Sequence, residues 1–214
     1  MKPVALVCDV DNTICDTRPR VKRCLESIGR PEVYDLTVGS YGGFKEMLSP
    51  EEVDRFFQIF LSNRFLNVDT PLPGAADVLH QWCEHHYLIY LTGRHDVQGD
   101  SMREGTEAWL KTHHYPTPHQ DQVQLWMKPS RYAVDIDYKN NALATLSDQH
   151  QLCAGLGDLP HEGPMYAAFG LKPIIISTVG MFPEDELRST HPDVVVTANW
   201  SDVTDLLATA CNPS

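Results

Sequence analysis

Val4-Ala5-Leu6-Val7-Cys8-Asp9-Val10-Asp11-Asn12-Thr13 is the stretch on which the fold turns. Five apolar residues ending abruptly in carboxylates read as a buried strand whose carboxyl end opens into a polar site. Successive side chains on a strand point to opposite faces, so Asp9 and Asp11 share a side if the strand geometry persists that far. In open parallel sheets, ligands bind beyond the carboxyl ends of the strands, where this pair falls. Two carboxylates about 4 Å apart repel by roughly 4 kcal/mol at an effective dielectric of 20, so they need a cation, a shared proton or separation. The pair taken alone reads equally well as loop-capping residues, because Asp and Asn are ordinary turn formers.

Outward from this run, further short apolar segments recur at Tyr87 to Leu91, Val123 to Trp126, Leu152 to Ala154, Pro173 to Ile176 and Val194 to Val196. Helical patterns lie between them at about 74 to 85, 101 to 113, 139 to 148, 162 to 169 and 201 to 210. This alternation predicts an α/β fold, a Rossmann-like doubly wound parallel sheet. Residues 16 to 71 break the rhythm. They hold no convincing strand but carry helix signals: Val21, Cys24 and Leu25 on one face, then Ser49-Pro50-Glu51-Glu52 opening a run with Val53, Phe56, Phe57 and Phe60. The expectation is a catalytic core of residues 1–15 and 72–214 with a small helical cap, 16–71, inserted after the first strand.

The chain has 214 residues, with 29 Asp and Glu against 17 Lys and Arg and a net charge of −12. Such an acidic balance repels phosphate backbones and anionic lipid, so nucleic acid and membrane surfaces are not expected partners. The six cysteines, at 8, 15, 24, 83, 153 and 211, form no C-x-x-C pair, so zinc or redox spacing is absent and free thiols in a reducing compartment are expected. Asp9 and Asp11 interrupt any N-terminal apolar run, and no later run reaches membrane-spanning length. A cytoplasmic location follows as the expectation.

Asp9-Val10-Asp11-Asn12-Thr13 after an apolar strand resembles the first motif of the haloacid dehalogenase superfamily of phosphatases, and three further motifs appear in that family's order. Thr92-Gly93-Arg94, ending the strand that begins at Tyr87, resembles the second. Lys139, opening a helix with Asp137 as N-cap, resembles the third. Gly155-Leu156-Gly157-Asp158, joined by Glu162, is similar to the fourth. Asn12 stands where glycine is frequent in the family, and Glu162 where aspartate is frequent. Lys128, following the strand at Val123 to Trp126, is a rival for the lysine role.

The resemblance implies a phosphatase working through an aspartyl phosphate on a small soluble phosphomonoester. Asp9 would attack phosphorus, and Asp11 would protonate the leaving alcohol and then deprotonate the attacking water. Mg2+ would be held by the Asp9 carboxylate, the Asp11 backbone carbonyl and Asp158, with Glu162 nearby as a supporting or water-mediated ligand. Thr92, Gly93, Arg94 and Lys139 would hold the phosphoryl oxygens. From the insertion, Arg18, Arg20 and Lys45 would offer anion contacts, with flexible backbone at Gly39-Ser40-Tyr41-Gly42-Gly43.

Plainer readings stand beside several of these. The basic cluster Arg18, Arg20, Lys22 and Arg23 reads as a solvated helix face. His85-His86, His113-His114 and His95 read as surface or loop histidines, Cys8 and Cys153 as small core residues, and Phe56, Phe57 and Phe60 as packing within the insertion. The competing functions are a catalytically silent phosphate-binding or scaffold member of the same fold and a receiver-like phosphorylatable signalling module. The latter would need its acceptor aspartate on a middle strand.

Overall fold

The computed structural model describes residues 2–37, 43–177, 187 and 189–211. The chain runs through β1 (Val4–Cys8), the two-residue β2 (Cys15–Asp16), α1 (Arg18–Ser27), α2 (Pro31–Thr37), α3 (Pro50–Phe60) and the two-residue β3 (Thr70–Pro71). It continues through α4 (Ala75–Cys83), β4 (Tyr87–His95), α5 (Arg103–Thr112), β5 (Val123–Lys128), α6 (Asp135–Gln149), β6 (Gln151–Gly157) and α7 (Glu162–Ala168). Last come β7 (Lys172–Ile176), β8 (Val195–Thr197) and α8 (Trp200–Cys211).

Six of these strands form one sheet in the order β5-β4-β1-β6-β7-β8, each neighbouring pair parallel. The chain builds outward from β1 to β4 and β5, then crosses back and builds from β6 to β7 and β8. The direction therefore reverses between β1 and β6, which makes their carboxyl ends the crevice of this doubly wound sheet. Asp9 follows one of those strands and Asp158 the other.

Period two along β1 decides what each face meets. Leu6 and Cys8 join a core with Ala75, Leu79, Trp109, Leu110, Trp200 and Val203, so α4, α5 and α8 cover that face. Val7 packs with Ala142, Leu143, Met165 and Tyr166, so α6 and α7 cover the other. Asp9 continues the series of Ala5 and Val7 and is thereby aimed at α6 and α7.

Within residues 16–71, Cys24, Leu25, Ile28, Val33, Leu48 and Phe56 form an apolar cluster of their own. Ser49 and Glu52 form a reciprocal capping box at the start of α3. The aromatic run packs there as its sequence implies, with Phe56 and Phe60 stacked at 5.6 Å between centroids. One expectation needs correction at its neck. Cys15 and Asp16 pair antiparallel with Pro71 and Thr70, a two-residue ladder too short to leave an alternating pattern.

α6 and two of the cysteines also depart from expectation. The helix starts at Asp135 with Val134 as N-cap, so Lys139 lies in its second turn and Asp137 inside its first. Two carboxylates in that first turn complement the helix dipole, which favours the earlier start. Cys153 and Cys211 form a disulfide joining β6 to α8 across 58 residues. Free thiols are thus right for Cys8, Cys15, Cys24 and Cys83, all buried, and wrong for this pair. A cross-link between elements distant in the chain leaves no local spacing, and it removes the cysteine argument for a reducing compartment. Among the described residues no helix is long and apolar enough to cross a membrane.

Candidate active site

Beyond Asp9, whose amide still donates to the Leu156 carbonyl at 2.9 Å, the backbone stops behaving as a strand. The amides of Thr13, Ile14 and Cys15 all point at the Val10 carbonyl, at 3.3, 3.0 and 3.4 Å, and Asn12 takes a left-handed conformation with φ 57°. Asn tolerates this region better than other residues carrying a Cβ, so it can stand where glycine would be easiest. Its Oδ1 accepts from the Thr17 amide at 3.1 Å and hydroxyl at 2.7 Å, closing the loop onto the start of α1. The turn sends Asp9 and Asp11 to different places. Each enters its own acidic cluster.

Asp9 lies 5% exposed beside Asp158 and Glu162, with one ligand oxygen from each within 4.8 Å of the others. Lys139 Nζ sits among them, 3.2 Å from Asp9 Oδ2, 2.5 Å from Glu162 Oε1 and 3.7 Å from Asp135 Oδ2. Glu162 is fully committed: its Oε2 accepts from the backbone amides of Asp158 at 3.0 Å and Leu159 at 3.1 Å. Asp9 Oδ1 is buried without a hydrogen-bond partner. Three carboxylates thus face one ammonium. Burial pushes the Asp9 carboxyl up to about 8, with Lys139 opposing and Glu162 and Asp135 adding to the rise. Burial pushes Asp158 up too, helped by Glu162 and Asp9 and resisted by Lys139. Burial works against the Lys139 charge, but Asp9 and Glu162 overcome it and hold its proton tightly.

Of the two lysines, the structure sets Lys139 against Asp9. Lys128 donates to the Ala133 carbonyl at 3.2 Å and lies 3.6 Å from Asp135 Oδ1. Thr92 is fully buried on β4, and its Oγ1 accepts from the Arg94 amide at 3.3 Å. At Gly93 a Cβ would come within 2.5 Å of Asp135 Oδ1, so a larger residue there would push the Asp135 carboxylate aside.

The second cluster gathers Asp11, Cys15 and Asp69. Here the countercharge is complete. Asp11 Oδ1 accepts from Arg20 Nη2 at 2.6 Å, and from Arg94 Nη2 at 2.6 Å and Nε at 3.2 Å. Asp69 Oδ1 is 3.1 Å from Arg20 Nε, and its Oδ2 accepts from Arg94 Nη2 at 3.2 Å. Burial would raise the Asp11 carboxyl, but the two guanidiniums hold it well below the usual carboxylate range. Burial dominates at Asp69 and pushes it up to about 7 against the same two arginines. The expectation that Asp9 and Asp11 share a side fails, because the turn at Val10 replaces strand geometry after Asp9.

Arg20 is therefore neither a solvated residue nor open to substrate; it is fully buried, as is Arg94. Arg18 pairs with Asp16 at 2.6 Å at the neck, and exposed Lys45 lies 5.1 Å over the Phe57 ring. Residues 39–42 of the glycine-rich stretch lie outside the described residues. His95, read as a loop residue, ends β4 fully buried and contacts the Leu61 carbonyl at 3.0 Å. Asp69 escaped sequence reading altogether: an Asp before Thr70-Pro71 looks like any turn residue, and its importance comes only from the arginines the fold delivers to it.

The chain resembles many solved structures over nearly its whole length. A haloacid dehalogenase-like hydrolase from Streptococcus pneumoniae is 15% identical with a TM-score of 0.65, covering 95% of this chain and 97% of that one. A hydrolase from Pseudomonas syringae is 16% identical with a TM-score of 0.60, over 98% and 100%. Protein tyrosine kinase A from Mycobacterium tuberculosis is equally similar, 16% identical with a TM-score of 0.66 over 97% and 99%. The haloacid dehalogenase fold is thereby shown, and that the three names span different activities shows why fold and function are separate conclusions. No curated protein sequence matches the chain. The sequence profile of the PITM 1-3 LNS2 domain matches residues 53–180, a span that holds Thr92, Lys139, Asp158 and Glu162 but begins after Asp9 and Asp11. Matched over more than half its length, the chain belongs to the PITM 1-3 LNS2 domain family.

Proposed function

We propose that the protein is a magnesium-dependent phosphatase that hydrolyses a small soluble phosphomonoester through an aspartyl phosphate on Asp9. The observation that carries this reading is the Asp9 carboxylate itself: buried at the sheet's crevice, one oxygen beside Lys139 and the other without a partner. A group so placed is costly as structure and useful as a nucleophile.

The donor set suits a divalent cation. Three buried carboxylates against one ammonium leave negative charge uncompensated, and Asp9 pushed up to about 8 is a poor nucleophile near neutrality unless more positive charge joins it. The Asp9 carboxylate, Asp158 and the Asp11 backbone carbonyl would hold Mg2+, which when bound supplies neutralisation of the phosphoryl oxygens. Glu162, with both oxygens spent, holds Lys139 and the Asp158 loop in place instead. Asp9 attacks phosphorus and the alkoxide leaves; Lys139 and the Thr92 hydroxyl with the Gly93 loop steady the oxygens whose charge shifts. Asp11 is the acid and base of this reading. A dianionic phosphoryl group beside it raises its proton affinity from the low value set by the arginines.

Residues 16–71 act in this reading as a cap over the sheet's end, since Arg20 and Asp69 both reach the Asp11 cluster from it. A seated cap favours small esters over polymers. Arg18 and Lys45 are the insertion's candidates for substrate contact. The test is phosphate release from sugar phosphates, nucleotides, phosphoglycolate and amino-acid phosphates with and without magnesium. Turnover of one of them that disappears on chelation and in Asp9→Asn supports the proposal; no turnover of any refutes it.

A further inference from the structure

We infer that Arg20, carried by the insertion, is a positioning residue that orients Asp11, so the insertion contributes to the chemical step as well as to substrate fit; this rests on the phosphatase reading above. Each guanidinium nitrogen faces a protein oxygen, and burial closes the group to a substrate. Its Nη2 donates to Asp11 Oδ1 at 2.6 Å, its Nε faces Asp69 Oδ1 at 3.1 Å, and its Nη1 donates to the Phe60 carbonyl at 3.4 Å. One face lies 4.1 Å over the Phe60 ring. The side chain is fully buried.

Arg94 grips the same oxygen of Asp11 from the core side and is itself held by Asp69 and by Thr106 Oγ1 at 3.1 Å. Both guanidiniums thus bind Oδ1. The Asp11 side chain keeps 23% exposure, which leaves Oδ2 as the oxygen that neither guanidinium takes. Two carboxylates and two guanidiniums form a balanced ring of four. Asp11 and Arg94 come from the core; Arg20 and Asp69 come from α1 and the last residues of the insertion. The ring closes only when the insertion is seated. His95 on Leu61 and Asn63 on the Ser101 carbonyl at 2.8 Å seat it from the other side.

A carboxylate released from one of its two guanidiniums can turn away, and a misplacement of about 1 Å costs on the order of 100-fold in rate. The experiment compares the wild type with Arg20→Ala, Arg20→Lys and the charge-balanced Arg20→Met/Asp69→Asn variant. Each is assayed on p-nitrophenyl phosphate and on the preferred ester of the panel, with melting temperatures recorded. The expected result is a kcat lowered about 100-fold in Arg20→Ala on both substrates with KM little changed. Arg20→Lys should recover part of that kcat, since an ammonium reaches one carboxylate but cannot span two. The double variant should regain melting temperature without regaining kcat, which separates positioning from mere stability. A KM effect confined to the preferred ester, unchanged kcat in all three variants, or full recovery of kcat in the double variant would each overturn the inference. A wild type inactive on every ester overturns the phosphatase reading together with it. An active wild type matched by its Arg20 variants overturns this inference alone.

Discussion

Two groups of acidic residues lie at the end of β1, each compact enough for a metal ion, and they differ in what already balances their charge. Around Asp9, the three buried carboxylates of Asp9, Asp158 and Glu162 gather at Lys139, which also meets Asp135, and one oxygen of Asp9 stays unpartnered. Around Asp11, two carboxylates meet two guanidiniums and the charges balance, Arg20 Nε and Asp69 Oδ1 facing each other at 3.1 Å as an ion pair without hydrogen-bond geometry. Proximity of carboxylates is common to both, so proximity does not mark the reactive site. The balance of countercharge does. A buried excess of negative charge demands a cation or a substrate-linked change, whereas a balanced cluster needs no further ion and holds its carboxylates in place.

The largest effect that tests this contrast is on turnover. Asp9→Asn keeps the shape and removes the proposed nucleophile, so phosphate release should fall on the order of 10⁴-fold or more while the melting temperature holds or rises. Near-wild-type turnover, in protein free of contaminating phosphatase, would remove Asp9 from the chemistry. Next in size is the lysine pair. Lys139→Met should lower kcat about 100- to 1,000-fold, in the range of other lost transition-state donors, while Lys128→Met should lower it less than about tenfold. The reverse order would assign the phosphate to Lys128.

The balanced cluster should answer in stability. Asp69→Ala leaves two buried guanidiniums without the acceptor they share, a cost of about 3 kcal/mol, which is roughly 6–12 °C in a domain of this size. Thermal melting reads it directly, and an unchanged melting temperature would show that the ring holds nothing together.

The smallest effect is on pH dependence. Asp9 and Asp69 have folded values raised to about 8 and about 7, above the ordinary 3.8. The stability they contribute is complete below that ordinary value and is lost as pH rises through 7 to 8. Asp11 is shifted the other way, so its contribution is present above the ordinary range and lost only as pH falls below it. Metal-free protein should therefore melt several degrees lower at about pH 8 than at about pH 6, and magnesium should stabilise it more at the higher pH. Equal stabilisation at both would mean that Asp9 is not the group facing the ion.

How far the molecule was legible in its sequence follows from which signals are local. β1 and the sheet alternation were readable because buried parallel strands are continuous apolar runs. Asp9 was placed correctly relative to β1 because period two persists to the strand's last residue. Beyond it the reading broke down: one left-handed residue, Asn12, and a turn onto the Val10 carbonyl send Asp11 to partners at positions 20, 69 and 94. Nothing at those positions announces the others. Arg20 looks like part of a basic helix face until the fold buries it. The Cys153–Cys211 bridge was hidden for the same reason. Its partners belong to β6 and α8, which meet only in three dimensions.

The contrast between the clusters is tested most directly by titrating magnesium into metal-free wild type, Asp158→Asn and Asp69→Asn at about pH 8, with melting temperature as the readout. Saturable stabilisation is expected of the wild type and of Asp69→Asn, at similar magnesium concentrations. Asp158→Asn should need about 10- to 100-fold more magnesium or show no stabilisation. A wild type that magnesium does not stabilise, or an Asp69→Asn variant that loses the response while Asp158→Asn keeps it, would contradict the assignment of the unbalanced cluster as the metal and phosphoryl site.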